Sequence, residues 1–136
     1  MENSTEDLAL AVGTMRLAWD PATRVATLQF LEETRGTGDH AVPLIAALSR
    51  WIGAGREPFA LLGDGAGLAA VDAGYRSQWG AFFREHRDHA FIAFFHMGPL
   101  IRVAAEMFRL GTGTRLKAFA TEVEARSWLR GMGIAA

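Results

Sequence analysis

Apolar residues along this chain recur at two periods, and the switches between them mark the elements. Met15, Leu17 and Trp19 alternate with Arg16 and Ala18, the spacing of a half-buried strand. Asp20-Pro21-Ala22-Thr23 has turn chemistry, because proline presets φ at the second position. Val25 to Leu31 resumes a β-rich run, so residues 14–31 are predicted to form an antiparallel hairpin. Arg35-Gly36-Thr37-Gly38 breaks it.

Helical spacing follows. Asp39 is the expected cap of a helix over 39–53, with Pro43 tolerable only in or beside the first turn. Leu44, Ile45, Leu48, Trp51 and Ile52 form its buried stripe, and Gly53 and Gly55 end it. Pro58 then introduces Phe59-Ala60-Leu61-Leu62, a run suited to a strand covered on both faces. Asp72 is the expected cap of a helix over 72–88, burying Tyr75, Trp79, Phe82 and Phe83 and reaching His86. Phe91–Phe95 is another buried strand. Pro99 suits the first position of a helix over 99–110, predicted to bury Leu100, Val103, Ala104, Met107 and Phe108.

The close of the chain carries the clearest local signal. Residues 115–119 read as a strand and 121–130 as a helix, with Thr121 and Glu124 forming a capping box. Ala125, Trp128 and Leu129 share one face, so this helix lies on a sheet. The fold class is α/β. An N-terminal β-hairpin followed by strand–helix repeats gives a mixed, mainly parallel sheet covered by about four helices. No linker interrupts residues 8–136, which are expected to form one domain after a mobile tail over residues 1–7.

Composition narrows the function classes. The 136 residues are 50% hydrophobic and 21% charged, the balance of an ordinary globular domain. A net charge of −1 without a basic block lacks the footprint that nucleic-acid binding needs. With no cysteine, disulfides and thiolate chemistry are excluded. The acidic start Met-Glu-Asn-Ser-Thr-Glu-Asp is unlike a secretory leader, and the uncharged stretch Ala90–Ile101 is too short to span a bilayer. The expected location is cytoplasmic.

Residues at three places resemble a known group. Phe119-Ala-Thr121-Glu122-Val-Glu124-Ala125-Arg-Ser-Trp128-Leu129 is similar to the closing strand and helix of SpoIIAA-like proteins. These are relatives of STAS domains, similar in fold to CRAL-TRIO lipid-binding domains. The stretch Arg76-Ser-Gln-Trp79-Gly-Ala-Phe82-Phe83 and the hairpin with Trp19 and Asp20 resemble the same group, over residues 14–131 in all. Anti-sigma-factor antagonists of the superfamily carry Asp-Ser-Ser-Gly-Leu where the second helix begins, and one serine is phosphorylated. This chain has Asp72-Ala73-Gly74-Tyr75 instead, and its nearest hydroxyl, Ser77, lies a full turn into the helix. The resemblance implies a small binding or regulatory domain without that phosphoswitch.

The candidate chemistry is sparse. Gly63-Asp64-Gly65-Ala66-Gly67-Leu68 has leucine where a dinucleotide fingerprint needs glycine or alanine, so it reads as a flexible connection. Glu85, His86 and His89 lack a converging third metal ligand and read as a solvated helix end. His96 follows a strand where α/β sheets bind ligands, but no nucleophile elbow or Walker lysine accompanies it. Phe82, Phe83, Phe91, Phe94, Phe95 and Phe108 are mostly core and leave little obvious room, with an apolar cavity walled by them as the lesser reading.

Ligands of open α/β sheets sit beyond the strand carboxyl ends. Here those positions are Asp64 and Gly65 after one strand and His96 and Met97 after the next, joined by Asp72, Tyr75 and Arg76 from the second helix. The expectation is a non-enzymatic STAS-like domain engaging a partner protein through this edge. One alternative is a binding domain for a small amphipathic or lipid-like ligand. Another is a small hydrolase or isomerase using Asp64, Asp72 or His96. No cofactor, metal, nucleic acid or membrane span is expected, and a homodimer is compatible with all three.

Overall fold

The computed structural model describes residues 8–136. Three antiparallel strands, β1 (Ala9–Val12), β2 (Met15–Asp20) and β3 (Val25–Phe30), open the chain. A short β4 (Thr34–Gly36) leads to α1 (Gly38–Ile52), followed by β5 (Phe59–Asp64) and β6 (Leu68–Val71). Next come α2 (Ala73–Glu85), β7 (Ala90–Phe95), α3 (Pro99–Thr112), β8 (Arg115–Phe119) and α4 (Glu122–Gly131). The main sheet has six strands in the order β1-β2-β3-β5-β7-β8, and its β3, β5, β7 and β8 run parallel. The mixed, mainly parallel architecture with four helices is the one expected.

Strand alternation divides the core in two. Phe59, Leu61 and Ile92 point to the face covered by α1, α2 and α3, where they meet Leu44, Leu48, Trp79 and Phe83. Ala60, Leu62, Phe91, Ala93 and Phe95 point the other way, onto Ala125 and Leu129 of α4. α4 packs on β5, β7 and β8 and leaves β2 uncovered on that side. That explains the strict alternation of buried Met15, Leu17 and Trp19 with more exposed neighbours.

Helix starts follow local chemistry. Asp72 accepts the Tyr75 N–H at 2.7 Å, and Thr121 accepts that of Glu124 at 3.2 Å, as expected. α1 is capped by Thr37 rather than Asp39. The Thr37 N–H donates to Nδ1 of His40 at 3.2 Å, with histidine in the place a capping-box glutamate would take. Pro43 therefore falls in the second turn, deeper than expected, and removes one helical hydrogen bond there.

Other expectations are corrected. The hairpin is a three-strand meander, because β1 adds to β2. The expected tail over residues 1–7 lies outside the described residues. β4 forms where a break was expected, and it pairs in parallel with β6 as a separate two-stranded sheet. α2 ends at Glu85, three residues early, where His86 caps it. α3 buries Ile101, Ala105 and Thr112, while Leu100, Val103 and Met107 face outward.

Candidate binding site at the strand ends

β5 and β7 pair so that Asp64 lies opposite Phe95, and both strands turn at the next residue. The Gly65 N–H donates to the Phe95 carbonyl at 2.8 Å. Nδ1 of His96 lies 3.2 Å from Oδ1 of Asp64, and the same oxygen accepts the Ala66 N–H at 3.0 Å. Gly65 has little choice of side chain, since a Cβ would sit 2.8 Å from Cγ of Met97. His96 adopts φ of 57°, a left-handed conformation uncommon for a residue with a side chain. Its ring packs on Phe95 while 49% of the side chain stays exposed. Asp64, Gly65, His96 and Met97 are thus gathered into one held edge. The glycine-rich segment is correspondingly a fixed turn leading into β6, not a flexible connection, with Gly67 accepting the Thr34 N–H at 2.9 Å.

The three residues expected from α2 divide. Asp72 spends its carboxylate on the helix cap. Arg76 is exposed and donates to the Val71 carbonyl at 2.9 Å. Tyr75 turns inward, 7% exposed, against Gly36 and Trp79, and burial raises its phenol well above the ordinary value. It is therefore a neutral core residue and not a surface contact.

Tyr75, Arg76 and Met97 do meet, around a half-open apolar cavity of about 80 Å³ between the sheet, α2 and α3. Leu61 and Ile92 form its floor, Trp79 and Phe83 one wall, Ile101 and Phe108 the other. Of the six phenylalanines weighed as cavity walls, Phe83, Phe94 and Phe108 line it. Trp79 is the residue that sequence reasoning missed as a functional candidate. It weakly favours the Tyr75 phenolate, yet its buried indole N–H reaches no acceptor at hydrogen-bond geometry. An orphaned donor of this kind is costly.

A second cleft, of about 310 Å³, lies at the opposite end of β5 and β7, beside the C-termini of α1 and α2. The expected solvated helix end is corrected there, because His89 is only 6% exposed. Its Nδ1 lies 3.0 Å from Asp88, and its Nε2 lies 3.1 Å from Nδ1 of His86. A neutral His89 that donates from Nδ1 to Asp88 has Nε2 free to accept from His86. Asp88 also binds Arg56, which with His89 holds its carboxyl at about 2. Among the described residues, no group of three or more His, Asp or Glu side chains could hold a metal ion.

The architecture defines a class. No family model matches the sequence, and no curated protein is significantly similar to it. Solved structures match over most of the chain. An uncharacterised DUF3478 protein from Shewanella loihica PV-4 with a SpoIIAA-like fold aligns at a TM-score of 0.64 and 14% identity, over 85% of this chain and 91% of its own. The anti-sigma factor antagonist SpoIIAA, unphosphorylated, gives 0.57 and 13%, over 86% and 98%. SiaC, in complex with the diguanylate cyclase SiaD that it activates in Pseudomonas aeruginosa, gives 0.59 and 11%, over 84% and 99%. The chain therefore has the SpoIIAA-like fold. No helix among the described residues is long and apolar enough to cross a membrane.

Proposed function

We propose that this chain is a regulatory binding domain that engages a partner protein through the edge built by Asp64, Gly65, His96 and Met97, with Arg76 beside it. The observation that carries this reading is the paired fixing of both loops. Asp64 and His96 hold each other across 3.2 Å, and Gly65 anchors to Phe95, so a recognition surface exists before any partner arrives. Preorganisation of that kind lowers the ordering cost of association. SiaC, similar in fold, is an activator found in complex with the enzyme it activates. The hydrolase alternative loses ground, because among the described residues no hydroxyl is hydrogen-bonded to His96 as a nucleophile would be.

Affinity capture from source cells tests the proposal with three variants. A partner retained at stoichiometry by the natural chain and by Val123→Glu on α4, but lost with Arg76→Glu and His96→Ala, supports it. Loss through Val123→Glu alone would move the interface to α4.

A second reading is favoured by the orphaned Trp79 N–H. At about 80 Å³ the cavity is smaller than an ordinary ligand site. It would therefore admit only the tip of a small amphipathic ligand, with an oxygen toward Trp79 and an anionic end near Arg76. Native mass spectrometry of gently purified protein, followed by organic extraction, detects such a ligand as a stoichiometric adduct.

A further inference from the structure

α3 has more apolar surface than its place on the sheet uses. At about 3.6 residues per turn, Ile101, Ala105, Phe108 and Thr112 share the sheet-facing side. Arg102, Glu106 and Arg109 form a charged row. Leu100, Val103, Met107 and Leu110 make a third face, with 82%, 59%, 68% and 69% of their surface exposed. A helix that is apolar on two faces is ordinarily buried on both.

We propose that this outer face of α3 packs against α3 of a second copy of the chain, about a two-fold axis. Three observations select that occupant. The spacing 100, 103, 107, 110 reads the same in either direction, so an antiparallel two-fold pairing sets Leu100 against Leu110 and Val103 against Met107. The charges are also self-complementary. With the axis at the stripe's midpoint, Arg102 of one copy lies about 3 Å along the helix from Glu106 of the other. Glu106 is exposed and holds Arg109 on its own helix, whereas Arg102 forms no ion pair among the described residues. Area is the third. Four such residues expose about 450–500 Å² per copy, so pairing two stripes approaches the ~1,000 Å² of a specific interface. The charged row bears both signs and the chain has a net charge of −1, which does not favour an anionic lipid surface.

Sedimentation equilibrium of the full chain tests this across a wide concentration range. The expected result is a reversible species of twice 14.8 kDa. Met107→Glu, at an outward position, should raise the dimer dissociation constant about 100-fold or more while leaving the circular dichroism spectrum unchanged. Arg102→Glu should weaken the dimer, and adding Glu106→Arg should restore it. A monomer at every concentration overturns the proposal, as does a dimer indifferent to Met107→Glu. So does a monomer that floats with phosphatidylcholine vesicles through this stripe. The proposed strand-end interface stands apart: Met107→Glu should leave capture through Arg76 intact, so either proposal can fail alone.

Discussion

Gly38 and Gly74 bring the first turns of α1 and α2 into backbone contact, and a Cβ built on Gly38 would lie 3.3 Å from the Gly74 Cα. The two-stranded β4–β6 sheet sets this approach, since Gly36 accepts the Asp72 N–H at 2.8 Å just before both helices begin. The absence of a side chain on Gly74 thus serves packing between the two helices.

Gly74→Val should therefore destabilise by about 1–3 kcal/mol, the usual cost of overpacking. Gly111 offers the contrast. It lies within α3 with nothing within 4 Å of a built Cβ, so Gly111→Ala should stabilise by up to about 1 kcal/mol. Urea midpoints at unchanged m-value would show both shifts. Equal and opposite failure, with Gly74→Val neutral, would mean that α1 and α2 are free to separate.

Phosphorylation should not switch the start of α2. Phosphate would be welcome at that helix N-terminus, but Ala73 and Gly74 occupy the positions that would carry it. Ser77 is exposed but lies in the second turn of the helix. Incubation with ATP and an anti-sigma-type kinase should leave the intact mass unchanged. A phosphate mapped between Asp72 and Ser77 would restore the phosphoswitch to this chain.

Stability should fall as the solution is acidified through the histidine range. Burial lowers the affinity of His86 for a proton below its ordinary value of 6.5, so the unfolded chain binds that proton first. The neutral ring's contribution is fully present above 6.5 and is lost as pH drops through its lower folded value. Asp88, held at about 2 by Arg56 and His89, keeps its own contribution until far more acidic conditions. Urea midpoints at pH 7.5 and 5.5 should differ for the natural chain and differ less for His86→Asn. An identical slope in the variant would assign the effect elsewhere.

The legible parts of this fold are those written in adjacent residues. Thr121 and Glu124 announce α4, and Asp72 announces α2, because a cap is a contact across three positions. Phe59–Leu62 and Phe91–Phe95 announce buried strands by their unbroken apolar runs. What stayed hidden depends on distant pairing. β4 and β6 are three and four residues long and exist only through each other. The phase of α3 was misread because its apolar arc covers two faces, and periodicity alone cannot say which one meets the sheet. Asp64 and His96 were both placed at strand ends, but their contact needs the β5–β7 register. The inward turn of Tyr75 and the burial of His89 belong to the same category, being settled by neighbours far away in sequence.

Trp79 is the residue whose replacement says most about the cavity. Its ring stacks on Phe83 at 5.8 Å and meets Phe82 edge-on, so Trp79→Ala should cost about 3–5 kcal/mol. Trp79→Phe keeps most of that packing and removes the N–H that finds no partner. Loss of an unsatisfied donor offsets much of the lost volume, and the net change should stay within about 1 kcal/mol. Urea denaturation separates this outcome from an ordinary large-to-small substitution, which would cost several times more. The same variant distinguishes the two binding proposals. If the cavity holds an amphipathic ligand through that N–H, Trp79→Phe should lose the stoichiometric adduct in native mass spectrometry while remaining folded. If the strand-end edge engages a protein partner, capture through Arg76 and His96 should persist in Trp79→Phe, since Trp79 is buried and only 4% exposed. Loss of the partner with a folded Trp79→Phe would tie the cavity to the edge and join the two proposals into one.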